Sequence, residues 1–315
     1  MDGTLRVFPL SSHPEMADKI SNLLGIECGR IKRSKFSCGE LYTRILENIR
    51  GREVYLVQTA TADVNNDVLE LLIAVDSCKR ASASSINVIV PHFPYSRQDK
   101  KSDSREPITG RLIANLLEAA GIDRIITMDL HADQIQGFFN VPVDHLNSLV
   151  LFVKYFRGVI GKAKNYTVVS PDTGRAKTCK KLADKLGVDL AILHKARPQH
   201  NVSEILHVIG EVKGKKCILF DDIIDTAGSI QNAYNVLVNQ GAQEVSVAAT
   251  HAVFSGPAVG RLNACAFKEV VVTNTIPLPA EKKINNLSII DTAPIFAETV
   301  KRNYEHASIS ELYDI

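Results

Sequence analysis

Asp221 and Asp222 stand side by side directly after four apolar residues, Cys217-Ile218-Leu219-Phe220, and Asp225, Thr226, Ala227, Gly228 and Ser229 follow closely. A short apolar run of this kind reads as a buried strand of a mostly parallel sheet. Ile230 to Gln240 is amphipathic and ends on Gly241, so the order is strand, tight loop, helix N-terminus. Free N–H groups and the helix dipole favour an anion there, and small hydroxyl residues add hydrogen bonds. A carboxylate repels phosphate. Asp221 and Asp222 are therefore suited to accept hydrogen bonds from sugar hydroxyls, or to hold a divalent cation. The stretch reads as a sugar-phosphate cradle, with the diol on the acids and the phosphate on Asp225–Ser229. A solvated strand end with an ordinary helix cap is the alternative reading.

Other polar residues recur at strand ends. Arg97 can fork onto a phosphate and Gln98 can read a base edge, within Tyr95-Ser96-Arg97-Gln98-Asp99-Lys100-Lys101. His131 is suited to a divalent metal or a phosphate, and Asp172, in Ser170-Pro171-Asp172-Thr173-Gly174, offers a hard oxygen to Mg²⁺. Lys195 and Arg197, in His194-Lys195-Ala196-Arg197-Pro198, place two cations after a strand, on a loop able to close over developing phosphoryl charge. Each has a plain structural alternative as a solvated loop or surface charge cluster.

Strands are expected at 54–57, 86–90, 125–128, 166–170, 190–193, 217–220, 245–249 and 270–273, with helices over 65–79, 107–121, 175–186 and 230–240. Pro107 and Gly121 punctuate the second helix as N1 and C′ residues would. The alternation indicates βαβ units and parallel sheets, hence an α/β fold of two similar domains. The polar, Lys-rich stretch from Leu146 to Asn165 is the expected boundary, giving domains 1–147 and 148–315, with a tail from 304 able to pack back on the first. Ligands of such sheets bind at the carboxyl ends of strands, where His92, Asp129, His131, Asp172, Asp221 and Asp222 all fall. That points to an active-site cleft between the domains.

Composition excludes several classes. The chain has 315 residues, 45% of them hydrophobic and 23% charged, and 37 basic against 35 acidic residues give a net charge of +2. No strong field argues for nucleic acid, and no long apolar run suits a membrane span. The acidic N-terminus does not read as a secretory signal. The six cysteines lack C-x-x-C spacing and read as reduced core thiols, so a soluble, cytoplasmic protein is expected. Gly210 to Lys216 imitates a P-loop but precedes a strand, and reads as a basic turn. No G-x-G-x-x-G follows a strand.

In this order the pieces resemble the ribose-phosphate diphosphokinase (phosphoribosyl pyrophosphate synthetase) family. The resemblance covers nearly the whole chain and is most specific at Tyr95–Asp99, Asp129–Phe139, Lys195–Pro198 and Asp221–Ser229. It implies two phosphoribosyltransferase-like domains. It also implies transfer of the pyrophosphoryl group of Mg-ATP to ribose 5-phosphate. Phe36 and Glu40 would lie on a hairpin reaching a neighbouring subunit's adenine. Arg97, Gln98 and His131 would serve ATP, and His131 and Asp172 would serve Mg²⁺. Lys195 and Arg197 would be catalytic. Asp221, Asp222 and Asp225 to Ser229 would hold ribose 5-phosphate. Arg50, Arg80, Ser82, Ser308 and Ser310 resemble an allosteric phosphate/ADP site, and the oligomer implied is a hexamer of dimers. Three positions depart from the family pattern: Cys38 replaces an Asp, Arg175 replaces the second glycine after Asp172, and Thr178 replaces an Arg. A phosphoribosyltransferase, or a regulatory subunit without turnover, are the rival readings.

Overall fold

A computed structural model of the chain describes residues 4–161, 165–196 and 205–313, with backbone alone at 195, 196, 205 and 206. The chain divides into two compact units, residues 1–147 with 275–277 and 291–315, and residues 148–274 with 278–290.

In the first unit, β1 (Leu5–Pro9), β4 (Glu53–Val57), β5 (Ser85–Val90), β6 (Arg124–Met128) and β7 (Val143–Leu146) form a five-stranded sheet in that order. Every pairing is parallel. Val54 to Val57 are all buried, as expected of a strand covered on both faces. α2 (Val64–Arg80) presents Leu71, Ala74, Val75 and Cys78 at helical spacing, and α3 (Thr109–Ala120) presents Ile113, Ala114 and Leu117. These pack on Phe8, Leu56, Val88 and Ile125 of the sheet. Helix α3 starts at Thr109, so Pro107 is not its first residue. Its first turn is instead tied to the Tyr95–Gln98 loop, with the Gly110 N–H donating to the Gln98 carbonyl at 3.1 Å. β2 (Ile31–Lys35) and β3 (Leu41–Ile45) form a separate antiparallel hairpin. α1 (Pro14–Leu24) completes the N-terminal part of this unit.

The second unit opens with α4 (Leu149–Ile160), so most of the stretch read as polar over 146–165 is an amphipathic helix. Phe152, Val153, Phe156 and Ile160 recur at helical spacing and are buried, while the charged Lys154 and Arg157 face outward. The sheet comprises β8 (Tyr166–Ser170), β9 (Asp189–Ala196), β10 (Ile205–Ile209), β11 (Lys216–Ile224), β12 (Glu244–Ala252), β13 (Val270–Thr273) and β14 (Leu287–Ile290). Its strand order is β10-β9-β8-β11-β12-β13-β14, and only the β9–β10 pairing is antiparallel. One face carries α4 and α5 (Ala176–Leu186), packed through Cys179 and Leu182 against Val168, Ile218 and Phe220. The other carries α6 (Gly228–Asn239) and α7 (Ala258–Ala264), packed through Ile230, Ala233 and Leu262 against Val169, Leu219 and Val247.

From Asp291 the chain returns to the first unit with α8 (Ala293–Tyr304), earlier than residue 304. α8 buries Ile295, Phe296 and Val300 and packs along α1. Lys19 pairs with Asp291 at 3.0 Å, and Asn303 Nδ2 donates to Asp144 at 2.8 Å. The apolar face of α8 needs cover, and α1 supplies it.

Candidate active site

The strand order of the second unit reverses between β8 and β11: α5 leads from β8 toward β9, and α6 leads from β11 toward β12. Such a reversal opens a crevice at the carboxyl ends of the two strands, where open α/β sheets bind ligands. Asp172, Arg175 and the Asp221–Ser229 stretch all lie there. β11 runs to Ile224, so Asp221 and Asp222 belong to the strand and do not follow it. The ladder with β8 stops at Leu219–Val169, whereas that with β12 continues to Ile224–Ala252. The acids therefore overhang the end of β8.

Beyond them the chain turns tightly. Ala227 caps α6 with φ 58° and ψ 13°, a left-handed conformation uncommon for a residue with a Cβ. The turn is pinned from outside: the Phe254 N–H donates to the Ile224 carbonyl, the Ser255 N–H to the Asp225 carbonyl, and Arg261 Nη1 to the Thr226 carbonyl, each at 3.0 Å. A Cβ on Gly228 would lie 3.2 Å from Arg261 Nη1, so a side chain there would press on the arginine that holds the Thr226 carbonyl. Thr226 and Ser229 are exposed beside the first-turn amides of α6, which lack intrahelical acceptors. Backbone N–H donors and two hydroxyls thus stand together at this corner.

The acids have a charged neighbour. Ser170 Oγ donates to the Asp172 carbonyl at 2.7 Å, and Asp172 Oδ1 accepts the Arg175 backbone N–H at 3.0 Å. Arg175 caps α5 and sends its guanidinium across to β11. Its Nε lies 3.6 Å from Asp221 Oδ1, and Nη2 is ion-paired with Asp222 Oδ2. The Asp222 N–H also donates to Asp221 Oδ1 at 2.8 Å. Burial and the adjacent Asp222 carboxylate push the Asp221 carboxyl well above the usual carboxylate range, against the pull of Arg175.

In the first unit, the Arg97/Gln98 and His131 loops leave the neighbouring strands β5 and β6. His92 is held by its N–H to Thr59 Oγ1 at 3.1 Å, and its Nδ1 lies 3.0 Å from the Ala60 carbonyl. The loop turns through Tyr95 at φ 56°, and Thr109 Oγ1 donates to Gln98 Oε1. Arg97 and Gln98 are exposed. Before His131, Asp129 adopts φ 40° and the Leu130 N–H donates to His145 Nε2 at 2.9 Å. Burial pushes the His145 ring below its ordinary pKa, against Asp129 and Asp133, which suits a neutral acceptor. His131 itself is exposed.

Phe36 and Glu40 flank the β2–β3 turn, where the Phe36 N–H donates to the Glu40 carbonyl at 2.8 Å. Phe36 is 54% exposed, with its ring edge-on to Tyr42. Cys38 is exposed at the tip and is no core thiol, while Cys78, Cys179, Cys217 and Cys265 are buried. Arg50 Nη1 donates to Ser82 Oγ at 3.1 Å, Arg80 pairs with Asp76 at 2.7 Å, and the Ser308 and Ser310 hydroxyls lie 2.8 Å apart. Lys195 falls within β9, earlier than the loop expected for it. Its side chain and all of Arg197 lie outside the described residues. His131 belongs to the first unit and Asp172 to the second. Among the described residues no cluster of three or more His, Cys, Asp or Glu side chains is placed to hold a metal ion.

Residues 5–121 match the N-terminal domain of ribose phosphate pyrophosphokinase, and residues 198–314 match the phosphoribosyl synthetase-associated domain. The ribose-phosphate pyrophosphokinase of Clostridium acetobutylicum is 47% identical, covering 98% of this chain and 97% of its own length. That of Bacillus subtilis is 47% identical over 99% of this chain and 98% of its own. The chain belongs to the ribose-phosphate pyrophosphokinase family. A crystal structure of phosphoribosylpyrophosphate synthetase from Mycobacterium smegmatis agrees, with a TM-score of 0.92 at 43% identity over 96% of this chain and 100% of that one.

Two features of this pyrophosphokinase fold escape sequence reasoning. Thr250 and His251 are buried at the end of β12, with His251 paired in register with Ile223. They follow the apolar Val245–Ala249 run as the acids follow Cys217–Phe220, and that parallel was the available signal. Arg261 braces the 225–229 loop from α7, and nothing local in its surroundings signals the contact.

Proposed function

We propose that the chain transfers the pyrophosphoryl group of Mg-ATP to the 1-hydroxyl of ribose 5-phosphate, giving phosphoribosyl pyrophosphate and AMP. One observation carries this reading. An acid pair and a helix N-terminus stand together at the strand-order reversal of the second unit, in a chain whose full-length relatives are named ribose-phosphate pyrophosphokinase.

On this reading Asp221 and Asp222 accept hydrogen bonds from the sugar hydroxyls. Asp225, Thr226, Ala227, Gly228 and Ser229 take the 5-phosphate through backbone amides and hydroxyls. Arg97 and Gln98 bind ATP with His131, while Phe36 and Glu40 reach the adenine of a neighbouring subunit. The anomeric oxygen attacks the β-phosphorus in line, the bond from that phosphorus to the α-phosphate oxygen breaks, and AMP departs. Lys195 and Arg197 stabilise the charge that develops, so catalysis is positioning plus electrostatics. Bound Mg²⁺ supplies charge neutralisation across the phosphate oxygens. Asp172 and His131 are the residues proposed to serve it. Asp172 offers a hard oxygen, and Mg²⁺ characteristically takes few protein ligands beside substrate phosphates.

The same reading places the chain in nucleotide biosynthesis, in the cytoplasm, with neither nucleic acid nor membrane as partner. The near-balanced charge and free cysteines support it, and no helix among the described residues is long and apolar enough to cross a membrane. A hexamer of dimers is proposed, supported by Leu112 and Leu116, exposed one turn apart on α3. Arg50, Arg80, Ser82, Ser308 and Ser310 are proposed to form a phosphate/ADP regulatory site.

Separation of nucleotide products after incubation with ATP, Mg²⁺ and ribose 5-phosphate tests the reaction. AMP is expected only when the sugar phosphate is present. ADP instead of AMP, or no turnover by folded protein, would refute pyrophosphoryl transfer.

A further inference from the structure

We propose that Arg175 is a tethered counter-ion of Asp221 and Asp222, and that sugar hydroxyls must displace its guanidinium to reach the acids. The proposal rests on the reading of those acids as the sugar site.

Its ground is the geometry around α5. A cation at a helix N-terminus opposes the helix dipole, so Arg175 at the cap of α5 occupies an unfavourable place unless an anion compensates. The compensation comes from β11: Nε faces Asp221 Oδ1 at 3.6 Å and Nη2 pairs with Asp222 Oδ2. The Arg175 and Asp221 side chains are 19% exposed and that of Asp222 6%, so water screens the contact poorly. The guanidinium fork suits two carboxylates better than an ammonium would. Its root is fixed as well, because Asp172 Oδ1 accepts the Arg175 N–H at 3.0 Å.

The two acids are thus already satisfied electrostatically by Arg175, and ligand binding becomes an exchange of partners. A diol arriving at Asp221 and Asp222 gains their hydrogen bonds and loses an intrachain ion pair. Glycine at position 175 imposes no such exchange. The φ of −88° at Arg175 is open to any residue, so an alanine tests the side chain without backbone strain.

A structural prop and a displaced counter-ion give opposite signs. Removing a prop weakens ligand binding, whereas removing a competitor strengthens it. Calorimetric titration of ribose 5-phosphate into the full-length chain, without nucleotide, reads the sign directly. Arg175→Ala is expected to tighten Kd about tenfold, equivalent to about 1.4 kcal/mol, while lowering the thermal midpoint of the unliganded protein. Arg175→Gln keeps two donors without the charge and tightens Kd in the same direction. It also serves if the alanine variant does not fold. An unchanged or weaker Kd in both variants overturns the proposal. Asp221→Asn and Asp222→Asn separate the two levels: a weaker Kd in these with no gain at position 175 refutes only the counter-ion role. An unchanged Kd in both asparagine variants refutes the sugar-site reading beneath it.

Discussion

In the second unit the charged groups at the strand ends are turned on one another: Arg175 reaches across from α5 to Asp221 and Asp222, and the loop beyond them is pinned by Arg261 and the Phe254–Ser255 backbone. In the first unit the corresponding groups, Arg97, Gln98 and His131, are exposed on loops whose backbones are tied down by the Gly110 N–H at the Gln98 carbonyl and by His145 at the Leu130 N–H. The difference follows from the sign and depth of the charge. An acid pair overhanging a buried strand needs a cation of its own to remain in the fold. The exposed Arg97, Gln98 and His131 side chains keep contact with water, so holding them costs little desolvation.

The largest expected effect lies on β9. Lys195→Ala should lower kcat by about a thousandfold or more, the scale of losing a positioned donor to transition-state charge, with little change in ribose 5-phosphate binding. Steady-state and binding measurements on one preparation check this, and an intact kcat would remove the cationic strand from the chemistry. Next comes stability. Asp222→Ala strips a partner from Arg175 in a poorly solvated corner and should cost about 3–5 kcal/mol in denaturant unfolding. Arg97→Ala, on the exposed loop, should stay within about 0.5 kcal/mol. Equal losses in the two variants would erase the contrast between the units.

A smaller effect concerns pH. His145 is held neutral in the fold by burial, with its pKa below the unfolded value, so its contribution to stability is present above about pH 6.5 and is lost as pH falls through the folded value. The thermal midpoint should decline below that pH, and His145→Gln should flatten this part of the profile. An identical profile in the variant would show that the Leu130 N–H contact is not the pH-sensitive support of the His131 loop.

Much of this was legible from side-chain pattern. The strands at 54–57, 86–90, 125–128 and 270–273 are apolar runs because both sheet faces are covered, and Gly121 and Gly187 close their helices in left-handed conformations. The acid pair and its loop announce themselves by composition alone. Helix α4 did not, because Lys154, Arg157 and the lysines after it drew weight from the 152, 153, 156, 160 spacing beneath them. The edge strands β7, β10 and β14 and the β2–β3 hairpin are short and only partly buried, so their patterns are faint. The contact of Arg175 with Asp221 and Asp222 joins residues far apart in sequence. It exists only because the sheet reverses its strand order between β8 and β11, and no local pattern carries that information.

The division of labour between the units is tested most directly by paired Michaelis constants for both substrates in Arg97→Ala and Asp225→Ala. The effects should cross: KM for ATP rises about tenfold or more in the first variant, on the scale of one lost charge-assisted contact, with ribose 5-phosphate unaffected, and the reverse holds in the second, on the scale of a binding loop that loses one of its hydrogen-bond acceptors. Parallel increases for both substrates in either variant would contradict the assignment of sugar phosphate to the second unit and nucleotide to the first.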